Sequence, residues 1–364
     1  MPLTSPDAFS GPLGGAPAIK GLSVTDRGWI DPGPGPDFSH RTEDQAVVLP
    51  LYDRSLVSTG IVFPGMGPSG YSDLGKFMVT NPCARRLRRT ADAVLGYSLM
   101  DLYRTSGEDY SEYCQIAFLI TCLALIEQAA DQLDTEPVAC AGPSFGGKTA
   151  VAYAGALPFS ETVLLTARLA RCEEEYFRTE HQDVITQSVA RTPEPVLQEI
   201  LAGLAGRNEW HDISCHIDHD FFMVSMREAS LERFASEVRA AGGLPLYAMR
   251  PPMHSAAFGA LREKAEAEVL SDFEFSDPRL PIVADQDGSV IVKADGARAM
   301  LLDSFVRPVR WPQTVRSMKD LGVKKVYIAG PDSLFGRVRC TRQNFEVVPI
   351  NQKTAPRVKN VVAA

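Results

Sequence analysis

The sequence predicts an α/β fold, in which helices cover a mostly parallel sheet. The apolar run Pro-Val-Ala-Cys-Ala at residues 137–141 is typical of a buried strand, and a glycine-rich turn and a small-residue helix over 149–156 follow it directly. Further along, the chain alternates strand and helix again, with apolar runs at 280–284 and 323–329. Because strand, tight turn and helix in succession build parallel sheets, these runs indicate the α/β class.

Length and composition are those of a globular protein with one large domain and an insert, or with two domains. The chain has 364 residues, 45% of them hydrophobic and 23% charged, and a formal net charge of −8. Because nucleic-acid phosphates demand a basic face, no nucleic-acid partner is expected. Apolar runs are too short to span a bilayer and no secretory signal is evident, so no membrane partner is expected. Seven cysteines without a CxxC pair favour a reduced, cytoplasmic protein.

Pattern and composition divide the chain into segments. Residues 1–55 are rich in glycine and proline and predict an N-terminal extension. Residues 56–182 and 250–350 are expected to form the large domain. Between them, residues 183–249 follow the order βαββαβ, which predicts an inserted ferredoxin-like small subdomain. Residues 351–364 are expected to be a C-terminal tail.

The turn at residues 142–149, Gly-Pro-Ser-Phe-Gly-Gly-Lys-Thr, satisfies two catalytic motifs at once. As G-x-x-x-x-G-K-[ST] it predicts a P-loop, in which Lys148 holds nucleotide phosphates and Asp285 would hold Mg²⁺. As G-x-S-x-G it predicts a nucleophile elbow, with Ser144 on a strained turn and His254 as its base. A third interpretation is a glycine turn that merely packs the helix on the strand. Strand before and helix after suit both motifs, so the residues alone leave the alternatives open.

Short segments elsewhere help to choose between these alternatives. They are VFPGMG at 62–67, CQIA at 114–117, GPSFG at 142–146, PMH at 252–254, RPVRW at 307–311 and AGP at 329–331. In this order they resemble the landmarks of the malonyl-CoA:acyl-carrier-protein transacylases, including the acyltransferase domains of polyketide synthases. The resemblance runs from about Val57 to Pro349 and implies a large α/β-hydrolase-like domain with the ferredoxin-like insert. It favours the elbow over the P-loop.

The resemblance implies a role for each matched residue. In that family a serine attacks an acyl thioester, a histidine takes its proton and a second thiol resolves the acyl-enzyme, which makes Ser144 the nucleophile and His254 the base and acid. The family orients its histidine through a backbone carbonyl, here that of Ser304. The amides of Met66 and Phe145 would form the oxyanion hole. No metal or cofactor is implied, and a coenzyme A or phosphopantetheine thioester is the substrate.

The positions expected to bind the acyl group depart from the family pattern. They are Gln115, Pro143, Leu169 and Met253. Malonyl-type enzymes carry at position 169 an arginine that pairs with the free carboxylate of the acyl group, and at position 143 a histidine. Because a buried carboxylate without a partner is costly, we expect an acyl group without a free carboxylate. Arg168 or a shifted helix would restore the pair in the alternative that the sequence leaves open.

These features predict a serine-dependent acyltransferase that takes an acyl group from an acyl-CoA or acyl-carrier-protein thioester. The expected acceptor is the phosphopantetheine thiol of a carrier protein in polyketide or related secondary metabolism, so an acyl carrier protein is the expected partner. A thioester hydrolase and an O-acyltransferase to a small-molecule hydroxyl use the same acyl-enzyme and stay open. A P-loop nucleotide-binding protein and a non-catalytic carrier-binding homologue are more distant alternatives.

Two groups of arginines are candidates for docking an acidic carrier protein or the phosphates of coenzyme A. They are Arg85, Arg86, Arg88 and Arg89, and Arg337, Arg339 and Arg342. Three histidines, at 211, 216 and 219, stand among aspartates, but their spacing fits no standard zinc pattern. A solvated edge of the small subdomain is the favoured interpretation of the histidines.

Overall fold

The computed structural model describes residues 58–106, 110–332 and 334–354. The predicted N-terminal extension over 1–55 lies outside the described residues, as does the predicted tail beyond residue 354. Within the described ranges, no helix combines the length and the apolar character that crossing a membrane requires.

Strands of the described residues form two sheets. In chain order they are β1 (Thr59–Val62), β2 (Pro137–Ala141), β3 (Val184–Ala190), β4 (His211–Asp218), β5 (Phe221–Arg227), β6 (Leu244–Met249), β7 (Ile282–Val283), β8 (Val290–Ile291), β9 (Val309–Arg310), β10 (Lys325–Ala329) and β11 (Glu346–Ile350). The large sheet has the order β11-β10-β1-β2-β7-β8 and the small sheet the order β6-β3-β5-β4-β9.

Helices cover both sheets. In chain order they are α1 (Tyr71–Thr80), α2 (Pro82–Leu95), α3 (Leu99–Thr105), α4 (Glu112–Gln128), α5 (Gly146–Tyr153), α6 (Phe159–Thr179), α7 (Glu194–Gly206), α8 (Leu231–Ala240), α9 (Gly259–Glu268), α10 (Ala294–Val306), α11 (Trp311–Asp320) and α12 (Arg339–Asn344). Short 3₁₀ turns follow α4, precede α8 and flank α9.

The large sheet is parallel except at one edge, where β8 runs antiparallel to β7. Every residue of the central strand β1 is buried, as expected for a strand with helices on both faces. Val62 at the end of β1 pairs in register with Ala141 at the end of β2. The segments that follow these two strands therefore leave the sheet side by side at its carboxyl edge, where α/β folds place their binding sites.

The small sheet has the strand order of a ferredoxin-like βαββαβ unit, β6-β3-β5-β4, as the sequence predicts. Helices α7 and α8 pack on it through an apolar core that includes Leu197, Phe222 and Phe234. A fifth strand, β9, joins it from beyond the insert and runs parallel to β4. Two residues are too few to show an alternating pattern, which is why the sequence did not predict β9.

Two predicted boundaries were wrong. The helix expected from Thr149 begins at Gly146, because the amides of Gly146 and Gly147 already bond to the carbonyls of Pro143 and Ser144. The strand expected over 280–284 shrinks to β7, since Pro281 has no N–H to give to a ladder.

Candidate active site

Ser144 lies at a sharp turn between β2 and α5, with a left-handed backbone angle φ of +56°. The two glycines of G-x-S-x-G are required by the packing of this turn. A Cβ on Gly142 would lie 2.0 Å from the carbonyl oxygen of Gly146, and one on Gly146 would lie 2.1 Å from that of Phe63. Since neither distance is possible for a real side chain, the motif is what allows the serine to stand on the bend.

Ser144 and His254 are in hydrogen-bond contact. The hydroxyl oxygen Oγ of Ser144 lies 2.8 Å from Nε2 of His254. On the other side of the ring, Nδ1 lies 2.6 Å from the backbone carbonyl oxygen of Ser304. Because a carbonyl only accepts, Nδ1 carries the proton and Nε2 presents its lone pair to the serine hydroxyl. The structure thus brings together the three residues that the sequence analysis assigned to nucleophile, base and histidine-orienting carbonyl.

The loop that carries His254 is anchored both to helix α10 and to strand β4 of the small sheet. The amide of Ser255 donates to the carbonyl of Phe305 at 3.2 Å, on helix α10. The hydroxyl of Ser255 donates to Asp212 Oδ2 at 2.7 Å, on strand β4. His254 itself has φ of +64°, a conformation that these anchors hold in place.

Burial lowers the pKa of His254 to about 4, although the hydrogen bond to Ser304 opposes the shift. Removing the ring from water disfavours the imidazolium form, so the ring is neutral at ordinary pH. A neutral imidazole is the form that accepts a proton.

Asp285, which follows β7 closely in the chain, supports the turn that carries Ser144. Its Oδ2 accepts a hydrogen bond from the amide of Ser144 at 2.6 Å, and its backbone carbonyl accepts the amide of Arg310 at 2.6 Å. Burial raises the pKa of this carboxyl to about 7, against the lowering effect of the Ser144 hydrogen bond. From the sequence alone, Asp285 is a candidate only for the Mg²⁺ ligand of a P-loop. Its place after an apolar strand indicates the site but not the Ser144 amide as its partner.

A cavity of about 140 Å³ adjoins Ser144 and His254. The strands that line it, such as β4 and β5, belong to the small sheet, and loops and helices complete its walls. Among the predicted acyl-binding residues, it is lined by Gln115, Leu169 and Met253. Pro143 is not among the described residues that line it, and its carbonyl instead accepts the amide of Gly146 at 3.0 Å.

Met66 and Phe145, the expected oxyanion-hole residues, both line the same cavity. The loop of Met66 lies against the elbow, since a Cβ on Gly65 would be 3.2 Å from the carbonyl oxygen of Pro143 and 3.5 Å from Ser144 Cβ. Phe145 is the residue immediately before α5, where the helix dipole is positive. The position of both residues suits amides that stabilise a developing negative charge.

A buried ion pair that the sequence analysis missed lines the cavity beside Leu169. Lys148 Nζ lies 3.6 Å from Glu173 Oε1 and 3.1 Å from Gln115 Oε1. Gln115 Nε2 in turn lies 3.4 Å from Glu173 Oε2. The lysine and the glutamate come from α5 and α6, and no local pattern in the sequence signals their pairing.

The two arginines next to Leu169 turn away from the cavity. Arg168 donates to Asp272 at 2.8 Å, and Arg171 makes two hydrogen bonds to Glu112, at 2.6 and 2.7 Å. Neither is among the described residues that line the cavity. The alternative in which Arg168 replaces the missing arginine at position 169 therefore finds no support in its position.

The turn is not arranged as a phosphate cradle. Lys148 Nζ lies 5.0 Å from the centre of the Phe145 ring and is paired with Glu173. In a P-loop the amides of this turn would point at a phosphate. Here the Ser144 amide donates instead to the carboxyl group of Asp285. The geometry favours the nucleophile elbow.

Two histidines of β4 and its turn, His216 and His219, contact neighbouring side chains. The ring of His216 packs edge-on against Phe222 at 5.5 Å, and His219 Nδ1 lies 2.8 Å from Asp218 Oδ1. Across the part of the chain that the structure describes, no three ligand-type side chains are grouped to hold a metal ion.

Comparison with known proteins adds a second line of evidence. Residues 188–249 match the family model described as the VinK acyltransferase small domain. The malonyl CoA-acyl carrier protein transacylase of Escherichia coli (strain K12) is 25% identical over 282 residues, which cover 74% of this chain and 88% of that protein. A probable mitochondrial malonyl-CoA-acyl carrier protein transacylase of Drosophila melanogaster is 25% identical over 336 residues, 83% of this chain and 82% of that protein. The expected resemblance to the malonyl-CoA transacylases is confirmed.

Solved structures of malonyl transacylases share the fold. One was determined in complex with its type II PKS acyl-carrier protein; it has a TM-score of 0.71 and 22% identity and covers 81% of this chain and 96% of its own. The malonyl CoA-acyl carrier protein transacylase from Coxiella burnetii has a TM-score of 0.69 and 22% identity, with 81% of this chain and 94% of its own covered. These similarities confirm the predicted fold class. The sequence relatives bear out the prediction of an acyltransferase.

Proposed function

We propose that this protein is a serine-dependent acyltransferase that moves an acyl group from an acyl-CoA or acyl-carrier-protein thioester to the phosphopantetheine thiol of a carrier protein. The observation that carries the proposal is the contact between Ser144 Oγ and His254 Nε2, 2.8 Å apart beside a cavity of about 140 Å³. The names of the sequence relatives, which are acyl-carrier-protein transacylases, support the reaction class.

In the acylation half-reaction, Ser144 Oγ attacks the thioester carbonyl carbon while its proton moves to His254 Nε2. The amides of Met66 and Phe145 stabilise the oxyanion of the tetrahedral intermediate. When the C–S bond breaks, His254 returns the proton to the leaving thiolate. The products are an acyl ester on Ser144 and a free thiol.

In the second half-reaction the acceptor thiol takes the place of the first one. His254 removes its proton, the sulfur attacks the ester carbonyl, and the C–O bond to Ser144 breaks with the proton returned to Oγ. Asp285 contributes by holding the Ser144 amide, which keeps the strained elbow in position through both steps.

The acyl group of the proposed reaction has no free carboxylate. Leu169 lines the cavity, and its neighbours Arg168 and Arg171 are bound to Asp272 and Glu112 instead. A carboxylate placed against Leu169 would lose its hydration without gaining a cationic partner. The apolar Met253 beside His254 suits a neutral acyl chain.

A carrier protein is the proposed partner, and its docking surface is the basic segment of Arg337, Arg339 and Arg342. All three arginines are exposed, and the segment follows Leu334 and Phe335, which line the cavity. In the other candidate run, Arg86 and Arg88 are engaged with Glu127 and Asp92. Carrier proteins are acidic, so an exposed basic surface beside the cavity guides the phosphopantetheine arm toward Ser144. The type II PKS partner of the solved neighbour supports placing the reaction in polyketide or related secondary metabolism.

Intact-mass spectrometry tests the proposal. The protein is mixed with a panel of acyl-CoA thioesters and then chased with a holo carrier protein, and S144A serves as the control. We expect a mass increase equal to one acyl group on the wild type, its absence from S144A, and its transfer to the carrier during the chase. Rapid loss of the acyl group to water with none on the carrier would mean a hydrolase.

A further inference from the structure

The strongest feature outside the catalytic dyad is the buried ion pair between Lys148 and Glu173. Their side chains are 11% and 9% exposed, and both line the cavity. Lys148 lies on α5, about one helical turn beyond Ser144 in the chain. Glu173 lies on α6, one helical turn after Leu169. The pair therefore belongs to the wall against which the acyl group of an acyl-enzyme would lie.

The positive charge of Lys148 is fully engaged. Its ammonium group contacts Glu173 Oε1 and Gln115 Oε1 and lies over the Phe145 ring. Gln115 is itself fixed, since its Nε2 donates to the carbonyl of Tyr110 at 3.1 Å. An incoming anion would have to displace a carboxylate that is already in contact with the lysine.

We infer that Glu173 determines acyl specificity by neutralising Lys148, so that the cavity excludes acyl groups that carry a carboxylate. This inference rests on the proposed function and adds to it the residue responsible for the selectivity. A substrate carboxylate near Leu169 meets the negative charge of Glu173 without a free cation to offset it, and like charges that share a buried site repel strongly. Removal of the Glu173 charge turns Lys148 into an unpaired cation that binds a carboxylate.

Two thioesters of nearly equal size separate the effect of the charge on the acyl group from the effect of its shape. They are malonyl-CoA and the malonyl-CoA derivative whose distal carboxylate is a methyl ester. The measured quantity is the ratio of the rates at which they acylate Ser144, followed by intact mass. The wild type is expected to react faster with the ester, and Glu173→Gln is expected to shift the ratio toward malonyl-CoA by about tenfold or more.

Matched variants separate this effect from a general change in the helix. Glu174→Gln alters the exposed neighbour on α6 and should leave the wild-type ratio unchanged. The double variant with Lys148→Met and Glu173→Gln should lose the gain, because the cation that binds the carboxylate is absent.

The inference is overturned if folded Glu173→Gln keeps the wild-type ratio, or if the double variant retains the full shift. It is also overturned if the wild type prefers malonyl-CoA to the ester, which decides the matter even when Glu173→Gln does not fold. Failure of every thioester to acylate wild-type Ser144 would instead refute the proposed function, and this inference with it.

Discussion

Asp285 Oδ2 lies 2.6 Å from the backbone nitrogen of Ser144, so a buried carboxyl group holds the strained turn on which the candidate nucleophile stands. The contact joins the end of β7 to the end of β2, two neighbouring strands of the large sheet. The contact also places a titratable carboxyl group next to Ser144, and burial raises the pKa of Asp285 to about 7.

The first prediction concerns the pH dependence of stability. Folding raises the pKa of Asp285 from 3.8 to about 7, so folding favours the protonated form and the group's contribution to stability is lost as pH rises toward 7. Asp285→Asn keeps an acceptor for the Ser144 amide but cannot ionise. The free energy of unfolding of the wild type, measured by urea titration, should therefore fall relative to that of Asp285→Asn between about pH 4 and pH 7. Parallel pH profiles for the two proteins would contradict the raised pKa.

The second prediction concerns the pH dependence of acylation. Because burial lowers the pKa of His254 to about 4, the ring remains a competent base in mildly acidic solution. The single-turnover rate of Ser144 acylation should lose half its value near pH 4 rather than near the ordinary histidine pKa of 6.5. Replacing the base in His254→Ala should reduce the rate about 10²–10⁴-fold.

Ser304→Ala is the matched control for the histidine. His254 Nδ1 bonds to the backbone carbonyl of Ser304, while the Ser304 hydroxyl donates to the carbonyl of Leu301 at 2.8 Å. Loss of the hydroxyl should change the acylation rate by no more than about twofold. A loss as large as that of His254→Ala would show that the side chain, and not the carbonyl, orients the ring.

The third prediction separates the glycines of the elbow. Gly146→Ala would place a Cβ 2.1 Å from the carbonyl oxygen of Phe63, and we expect it to lower the free energy of unfolding by about 3 kcal/mol or more. A Cβ on Gly147 has its nearest neighbour at 3.4 Å, so Gly147→Ala should be tolerated and gain up to about 1 kcal/mol of helix propensity. Urea denaturation of both variants checks the contrast; equal stability would refute the tight packing at Gly146.

The fourth prediction concerns the carrier protein. Charge reversal of Arg337 and Arg339 should slow transfer to a holo carrier protein about tenfold, and more at low salt. Acylation by an N-acetylcysteamine thioester, which has no phosphates, should not change. The same reversal at the exposed Arg85 and Arg89 is the matched control, and an equal loss there would argue against the proposed docking surface.

The parts of the site that the sequence revealed are those encoded locally. Gly142, Ser144 and Gly146 stand in one turn, and His254 follows a predicted strand. These short segments resemble the motifs of a known family, and that resemblance decided between the open alternatives. The ferredoxin-like order was visible because each strand and helix carries its own periodicity.

The parts that sequence reasoning missed depend on partners distant in the chain. Asp285 meets Ser144 across 141 positions, and Lys148 meets Glu173 from a different helix. In each case the residue type is ordinary and the significance comes from burial against a specific partner, which only the packing of the sheets and helices creates. Strand β9 was not predicted for a related reason. It is defined by its pairing with β4, because two residues are too few to show a strand pattern of their own.

Peptide mass spectrometry after brief exposure to a neutral acyl-CoA tests directly whether Ser144 is the residue that becomes acylated. We expect the acyl mass to lie on Ser144 in the wild type, to be absent from S144A, and to accumulate far more slowly in His254→Ala. An acyl group found on another side chain, or equal labelling of wild type and S144A, would contradict this expectation.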